Sequence, residues 1–285
     1  FLAMMARSLL IGALSSLLAV QCSALIPLQS VPTFAPSRGS ASLALSFPQK
    51  QMSSCVRARA PIRLRGGAAG ATSSATTDLL LKHVAPICGI FISVAMFYAP
   101  LKALLKARED KDLGDLNPLP YPAQIGNCAA WLTYAICVNN PYVMAPNILG
   151  LALGFFFTWT GMGLAKPEVR KVLVRNLIAY VTVVLGAITV DKMKLTTIAS
   201  NNLYGWVGNV LLMIYYTAPL SSISTVIATK NADTIDPRLA VAGVLNGLFW
   251  FTYGVAIWDG YVAIPNGIGA MLASISTTCW FLFKK

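Results

Sequence analysis

The sequence predicts an all-α membrane protein with seven transmembrane helices arranged 3+1+3, as two parallel three-helix bundles joined by a linker helix. Two observations carry this prediction. The chain is 56% hydrophobic and only 11% charged over its 285 residues, whereas a soluble domain of this size would carry about 25% charged residues. The chain also matches itself when it is shifted by 119 positions.

The internal repeat is carried by residue types that rarely replace one another. Residues 142–150 match 261–269, and both segments contain the pattern Pro-Asn-x-x-Gly. In the same shift, Trp131 matches Trp250. Because aromatic residues, proline, asparagine and glycine are not interchangeable, chance is a poor explanation of the match. A same-order repeat in an apolar chain predicts two membrane bundles with a site between them.

Seven apolar stretches come near the ~20 residues that are needed to cross a bilayer. In chain order they are 83–104, 121–138, 143–164, 172–190, 203–227, 238–258 and 262–283. The repeat covers the first three and the last three, so 83–165 and 203–283 are predicted to form equivalent bundles, and 172–190 is the linker. Because the linker crosses the membrane once, both bundles keep the same orientation.

The distribution of basic residues predicts the orientation in the membrane. The first, third and fifth connections and the C-terminal end together carry twelve Lys and Arg residues, whereas the opposite helix ends carry three. Basic residues near helix ends stay on the side where synthesis occurs. The C-terminus is therefore expected in the cytosol or its equivalent. The net charge of +12 is explained by the membrane orientation and by the basic targeting segment. No nucleic-acid partner is expected.

The first 77 residues are predicted to be a targeting presequence or a disordered segment, separate from the fold. Residues 4–24 have the basic start, apolar run and small residues of a signal peptide, and 25–77 have the acid-poor, Ser- and Arg-rich composition of a transit peptide. This order resembles the bipartite presequences of algae with secondary plastids. A secretory signal with a disordered tail and a gene-model artefact are the alternatives. The expected location is accordingly the plasma membrane or a plastid or other organelle membrane.

The membrane part resembles the SWEET family of sugar transporters, within the PQ-loop superfamily. The matching motifs are Tyr-Ala-Pro-Leu at 98–101, Leu-Pro-Tyr-Pro at 119–122, Ala-Pro-Leu-Ser at 218–221, Trp-Phe-Thr-Tyr-Gly at 250–254 and Val-Ala-Ile-Pro-Asn-Gly at 262–267. The resemblance covers roughly residues 83–283. It implies a facilitative, bidirectional carrier of mono- or disaccharides that works by alternating access, with self-association into a homo-oligomer.

The resemblance assigns a sugar pocket to Asn147, Asn266 and Trp250, with Trp131 setting its size limit. These residue types suit the task, since a sugar stripped of water needs a hydrogen-bonding partner for each hydroxyl. An amide offers donors and an acceptor without a charge, and an indole face packs on the apolar face of a sugar ring. An interhelical hydrogen bond is the alternative role for each asparagine.

The resemblance also implies hinges and an outer gate. The hinge residues are four prolines, Pro100, Pro120, Pro219 and Pro237. Strict 119-residue spacing pairs Pro237 with Pro118 instead, and this alternative stays open. The outer gate falls on Tyr134 and Asp259, for which a solvated loop aspartate is the other interpretation. The chain departs from the family at Ser276, where a glutamine is usual, and at Pro146.

No other chemistry is expected from the sequence. The six cysteines form no Cys-x-x-Cys pair, so neither a metal site nor a disulfide framework is predicted, and no cofactor is expected. The predicted spans carry no mid-membrane acid, His, Lys or Arg. This favours a uniporter over a proton-coupled transporter of another small metabolite such as an amino acid, which would need an ionisable group. It also argues against a membrane-embedded enzyme.

Overall fold

The computed structural model describes residues 75–114 and 116–284 of the chain. The predicted signal and transit segments therefore lie outside the described residues, apart from residues 75–77. Within the described part every regular element is helical. A π-helical segment (Leu80–Val84) leads into the first of nine α-helices of the described residues. They are α1 (Ala85–Tyr98), α2 (Leu101–Asp110), α3 (Pro120–Cys137), α4 (Pro141–Leu164), α5 (Pro167–Lys192), α6 (Ser200–Tyr215), α7 (Thr217–Thr229), α8 (Pro237–Ala256) and α9 (Gly260–Phe283).

Six helical stretches of the described chain are long and apolar enough to cross a membrane. They are Ala75–Asp110, Pro141–Leu164, Pro167–Lys192, Ser200–Thr229, Pro237–Ala256 and Gly260–Phe283. The remaining predicted span corresponds to α3, an 18-residue helix in which eleven residues are buried. Because α3 is surrounded by other helices, it can carry more polar residues than a helix that faces lipid.

Two predicted spans are each interrupted. The span predicted at 83–104 breaks between α1 and α2 at Ala99 and Pro100, and the span predicted at 203–227 breaks between α6 and α7 at Tyr216. Proline causes both interruptions, since it has no N–H to donate to the preceding turn. Pro100 follows the first break directly, and Pro219 lies three residues after the second.

The helices pack in two equivalent sets of three. In the first repeat α4 packs against α1 and α3, and in the second α9 packs against α8 and the α6–α7 pair. Between repeats the contacts are reciprocal: α1 packs on α8, and α3 packs on α6. The first helix of each repeat thus meets the second helix of the other. This exchange indicates a two-fold relation between the repeats, and the single linker helix that joins them makes the repeats parallel.

Glycines allow a close helix–helix approach between α8 and α9. A Cβ at Gly254 would lie 2.5 Å from the backbone nitrogen of Ala263, and one at Gly247 would lie 2.7 Å from that of Ala270. Small residues at a membrane helix interface permit such backbone contact.

The linker α5 packs mainly against α3 and is tied to the second repeat at its C-terminal end. The buried carboxylate of Asp191 accepts hydrogen bonds from Ser200 Oγ at 2.5 Å and from Tyr204 Oη at 2.8 Å. Both donors lie on α6, so this cluster fixes the linker to the first helix of the second repeat.

Candidate functional site

A cavity of about 680 Å³ lies between the two repeats. Its wall is formed by α1, α3 and α4 of the first repeat and by α6 to α9 of the second, and the linker contributes no lining residue. The four predicted pocket residues all line this cavity: Asn147, Asn266, Trp131 and Trp250. The structure thus brings together the residues that the sequence pairs by the repeat, and their role in binding stays a prediction.

The two indoles occupy reciprocal positions. A Cβ on Gly89 would lie 3.0 Å from the ring of Trp250, and a Cβ on Gly208 would lie 3.3 Å from the ring of Trp131. Gly89 and Gly208 are themselves equivalent in the repeat. Each tryptophan therefore rests against the first helix of the other repeat, at a glycine where an added Cβ would press on the indole ring.

The two asparagines are held in the same way. Asn147 Nδ2 donates to the carbonyl of Val143, and Asn266 Nδ2 donates to the carbonyl of Val262, both at 2.8 Å. An amide has a second N–H and an oxygen, and no further hydrogen bond of these side chains occurs within residues 75–114 and 116–284. Each amide therefore keeps one donor and one acceptor for a ligand.

A hydrogen-bonded chain that was not anticipated from the sequence links the repeats at the cavity wall. Ser93 Oγ on α1 donates to Asn246 Oδ1 at 2.7 Å and accepts from Trp250 Nε1 at 3.1 Å, both on α8. Asn127, the repeat equivalent of Asn246, also lines the cavity. In the sequence, the match of Asn127 to Asn246 under the 119-residue shift was the signal that could have identified these two asparagines as cavity residues.

Two reciprocal tyrosine hydrogen bonds tie the repeats together beyond the tryptophans. Tyr134 Oη donates to Asp259 Oδ2 at 2.8 Å, and its equivalent Tyr253 Oη donates to Asn140 Oδ1 at 3.1 Å. Asp259 and Asn140 also cap the N-termini of α9 and α4. We call these two pairs the outer closure. The predicted gate residues Tyr134 and Asp259 are thus in contact, and the second pair follows from them by the 119-residue shift.

At the other end the cavity reaches the loop between α7 and α8. The lining there includes the exposed residues Thr234 and Asp236, which lie in the predicted cytosolic connection. We call this the inner end. The cavity is therefore accessible from the inner end and closed at the outer one.

The four predicted hinge prolines all lie at helix interruptions or helix starts near the inner end. Pro100 lies at the first break and Pro219 lies in the first turn of α7, three residues after the second break, whereas Pro120 and Pro237 are the first residues of α3 and α8. The shared position at a helix start pairs Pro237 with Pro120 rather than with Pro118. Three of the four line the cavity, and Pro237 does not. Their action as hinges stays a prediction.

The two departures from the family pattern are also at the site. Ser276 lines the cavity, and its hydroxyl donates to the carbonyl of Leu272 at 3.1 Å. A glutamine amide does reach the wall, but from α3, where Gln124 Nε2 donates to the carbonyl of Gly150 at 2.8 Å. Pro146 and its equivalent Pro265 both stand inside helices, one residue before the pocket asparagines.

The described residues contain no group of three or more His, Cys, Asp or Glu side chains that could hold a metal ion. The arrangement offers amides, hydroxyls and indoles to a ligand. It is suited to hydrogen bonding and ring stacking with a neutral polar molecule.

Comparison with known proteins supports the same architecture. The chain resembles "Bidirectional sugar transporter SWEET7" of Arabidopsis thaliana, with 28% identity over 67% of this chain and 76% of that protein. It also resembles "Sugar transporter SWEET1" of Dictyostelium discoideum, with 24% identity over 67% of this chain and 88% of that protein. Among solved structures, a eukaryotic SWEET transporter superposes with a TM-score of 0.66 at 17% identity, over 73% of this chain and 98% of that one.

These findings confirm the predicted fold class, an all-α membrane protein with a 3+1+3 arrangement, and the resemblance to SWEET proteins. The family described as "Sugar efflux transporter for intercellular exchange" matches residues 83–168 and 202–285, one segment for each repeat. The chain is a multi-pass membrane protein and belongs to this family of sugar efflux transporters.

Proposed function

We propose that the chain is a facilitative, bidirectional transporter of mono- or disaccharides that works as a uniporter by alternating access. The observation that carries the proposal is the cavity between two equivalent membrane bundles, accessible at the inner end and closed at the outer one. Rocking of one bundle against the other would expose the same cavity to the opposite side.

The lining chemistry supports a sugar as the substrate. A sugar has no charge, and each hydroxyl that leaves water needs a partner. Asn147 and Asn266 supply amide groups on opposite walls, and Trp131 and Trp250 supply flat apolar faces. Relatives whose names describe them as bidirectional sugar transporters support the same substrate class.

The charge inventory supports uniport rather than proton coupling. Of the cavity-lining residues in the described chain, Asp236 alone carries a charged side chain, and it is exposed at the mouth. Ionisable groups inside the membrane mark proton relays, and the cavity centre offers none. The same lack of carboxylate and histidine side chains supports a carrier without enzymatic activity, whose partners are the sugar, the bilayer and further copies of the chain.

Uptake of labelled glucose and sucrose by cells that lack their own sugar carriers tests the proposal. Expression of the chain is expected to restore uptake of at least one of the two sugars, to the same extent at pH 5.5 and 7.5. Uptake of neither sugar, with the protein present in the membrane, would contradict the substrate class. Uptake that depends on the external pH would contradict uniport.

A further inference from the structure

The inner end of the linker has an excess of positive charge that the other inner connections lack. Residues 165–175 hold four basic residues and one acid, whereas residues 101–119 hold four of each and residues 229–238 hold two of each. The first two segments have equal numbers of Lys and Arg, which are the residues that set membrane orientation. The missing acids of 165–175 therefore do not affect orientation, but they leave the positive charge of this segment uncompensated.

Three of these basic residues line an open depression of about 450 Å³ on α5. Its lining residues, all exposed, are Arg170, Lys171, Val174, Arg175 and Ile178. They recur at intervals of three and four residues, so they share one face of the helix. The buried residues of α5, such as Leu173 and Tyr180, form a separate stripe. The depression thus lies on the outer surface of the bundle, away from the cavity between the repeats.

Arg170 is held in place without losing its charge. Its Nε donates to the carbonyl of Met162 at 2.8 Å, and its Nη2 donates to that of Ala165 at 3.5 Å. A guanidinium has five N–H donors, so three remain for a ligand. Within residues 75–114 and 116–284 no carboxylate forms an ion pair with Arg170. The α4 carbonyls therefore position a cation that has no counter-ion.

The other two basic residues are also available to an anion. Arg175 has no hydrogen bond or ion pair in the described part of the chain. Lys171 pairs with Glu168 at 3.2 Å, but both side chains are exposed, and an exposed pair of this kind contributes little. Lys171 can therefore exchange this partner for a phosphate at little cost.

The apolar part of the depression continues along the helix. Val174 and Ile178 are followed at the same face by Val181 and Leu185, and all four are exposed. In a bilayer such side chains contact acyl chains. Basic groups at the inner membrane surface, followed by an apolar row that runs into the membrane, match both parts of a lipid. A free phosphate ion would use only the basic part.

We propose that this depression is a binding site for a lipid with an anionic headgroup. Arg170, Lys171 and Arg175 hold the headgroup phosphate, and an acyl chain lies along Val174 and Ile178. Arginine binds phosphate through two parallel hydrogen bonds, and basic pockets on the cytosolic side of membrane proteins bind anionic headgroups. The bound lipid holds the inner end of the linker at the membrane surface. The site is independent of the proposed sugar site.

A double variant and a matched control test the site. Lys171→Gln with Arg175→Gln removes two charges from the depression and leaves Arg170 on the α4 carbonyls. The dissociation constant for phosphatidylglycerol is expected to rise about twentyfold, at about fivefold for each basic residue near the membrane surface. Lys102→Gln with Lys106→Gln removes two exposed charges of α2 at the same inner end, and should change this constant less than about twofold.

The measurement is lipid binding to the detergent-solubilised full chain by native mass spectrometry, together with its thermal midpoint. Phosphatidylglycerol should bind at least about tenfold more tightly than phosphatidylcholine and raise the midpoint, since a ligand of the folded state stabilises it. Glycerol 3-phosphate at the same concentration should leave the midpoint unchanged. If the double variant is not recovered folded, Arg175→Gln alone should weaken binding about fivefold, because Arg175 has no partner to lose.

Three results would overturn the proposal. Equal binding of the two lipids would show that headgroup charge is not recognised. A midpoint shift by glycerol 3-phosphate as large as that by phosphatidylglycerol would show a phosphate site rather than a lipid site. Equal weakening by the depression variant and the α2 control would show diffuse surface attraction. Sugar uptake enters none of these measurements, so each of these results leaves the proposed function standing.

Discussion

The outer and inner ends of the bundle are built differently. At the outer end, two tyrosine hydrogen bonds join the repeats, and α8 meets α9 in backbone contact at Gly254. At the inner end, helices are interrupted beside prolines and the cavity reaches the exposed residues Thr234 and Asp236. The contrast shows that the two tyrosine hydrogen bonds are among the contacts between the repeats that must break for the cavity to open outward.

The outer closure is itself uneven. Asp259 Oδ1 accepts hydrogen bonds from backbone N–H groups of α9, and Asp259 Oδ2 accepts one from Tyr134, so the cap and the tyrosine do not share an oxygen. Asn140 has one oxygen, which accepts from Tyr142 N, Val143 N and Tyr253 Oη together. A hydrogen bond to a carboxylate is stronger than one to an amide. The Tyr134–Asp259 pair should therefore contribute more than the Tyr253–Asn140 pair to the free energy that holds the outer end closed.

The largest expected effect is on the tight outer contact. In Gly254→Ala the new methyl would lie 2.5 Å from the backbone nitrogen of Ala263, and backbone cannot move aside as a side chain can. Overpacking costs about 1–3 kcal/mol of unfolding free energy. The thermal midpoint of the detergent-solubilised protein should fall, and less folded protein should be recovered.

Gly163→Ala is the matched control at the inner end, because a Cβ there has no atom within 4 Å. It should leave the midpoint unchanged or raise it slightly, since alanine favours a helix. If both variants melt at the same temperature, the outer end is not packed as described.

The next largest effect is expected at the cavity between the two ends. Asn147→Ala and Asn266→Ala each remove an amide that the proposed sugar site uses. Loss of a buried hydrogen-bonding group typically costs about 1–3 kcal/mol, roughly 5- to 150-fold in affinity. Initial rates of sugar uptake at equal surface expression measure the loss. Asn202→Ala, an exposed position at the start of α6, should transport normally, and normal uptake by either pocket variant would refute the assignment.

A smaller effect is expected from loosening the outer closure. Tyr134→Phe keeps the ring and removes the donor to Asp259, so the outward-open population should rise by about tenfold, the value of a hydrogen bond to a charged group. Labelling of Val262→Cys by a membrane-impermeant thiol reagent from the outer side reports this population. The background should carry Cys137→Ser, because Cys137 is exposed near the outer end. Unchanged labelling would show that this bond does not hold the closure.

The smallest effect is expected from the second pair. Tyr253→Phe loses a bond to an oxygen that already accepts two others, so outer labelling of Val262→Cys should rise only about threefold, as for a neutral hydrogen bond. Asn140→Asp would supply a second oxygen and reduce labelling below the parent. An effect of Tyr253→Phe that equals that of Tyr134→Phe would contradict the uneven closure.

Much of the site follows from the sequence because the repeat relates residues in pairs. The shift by 119 positions places Asn147 with Asn266 and Trp131 with Trp250, and the structure sets all four around one cavity. The fold class follows from the apolar spans and from the single linker helix between the two repeats. The same shift applied to the gate residues would also have given Tyr253 and Asn140.

The rest depends on contacts that a repeat cannot reveal. Ser93 and Leu212 are equivalent in position but opposite in chemistry, so the bridge to Asn246 appears only when α1 is packed on α8. The breaks near Pro100 and Pro219 divide spans that look continuous in hydropathy. The predicted presequence lies almost wholly outside the described residues.

The most direct test of the central claim is sugar counterflow in proteoliposomes with no ion gradient. Vesicles loaded with unlabelled glucose and diluted into trace labelled glucose should transiently accumulate label, equally with and without a protonophore. This is the behaviour of one neutral site exposed alternately to the two sides. Absence of counterflow, or accumulation that requires a pH gradient, would contradict the account.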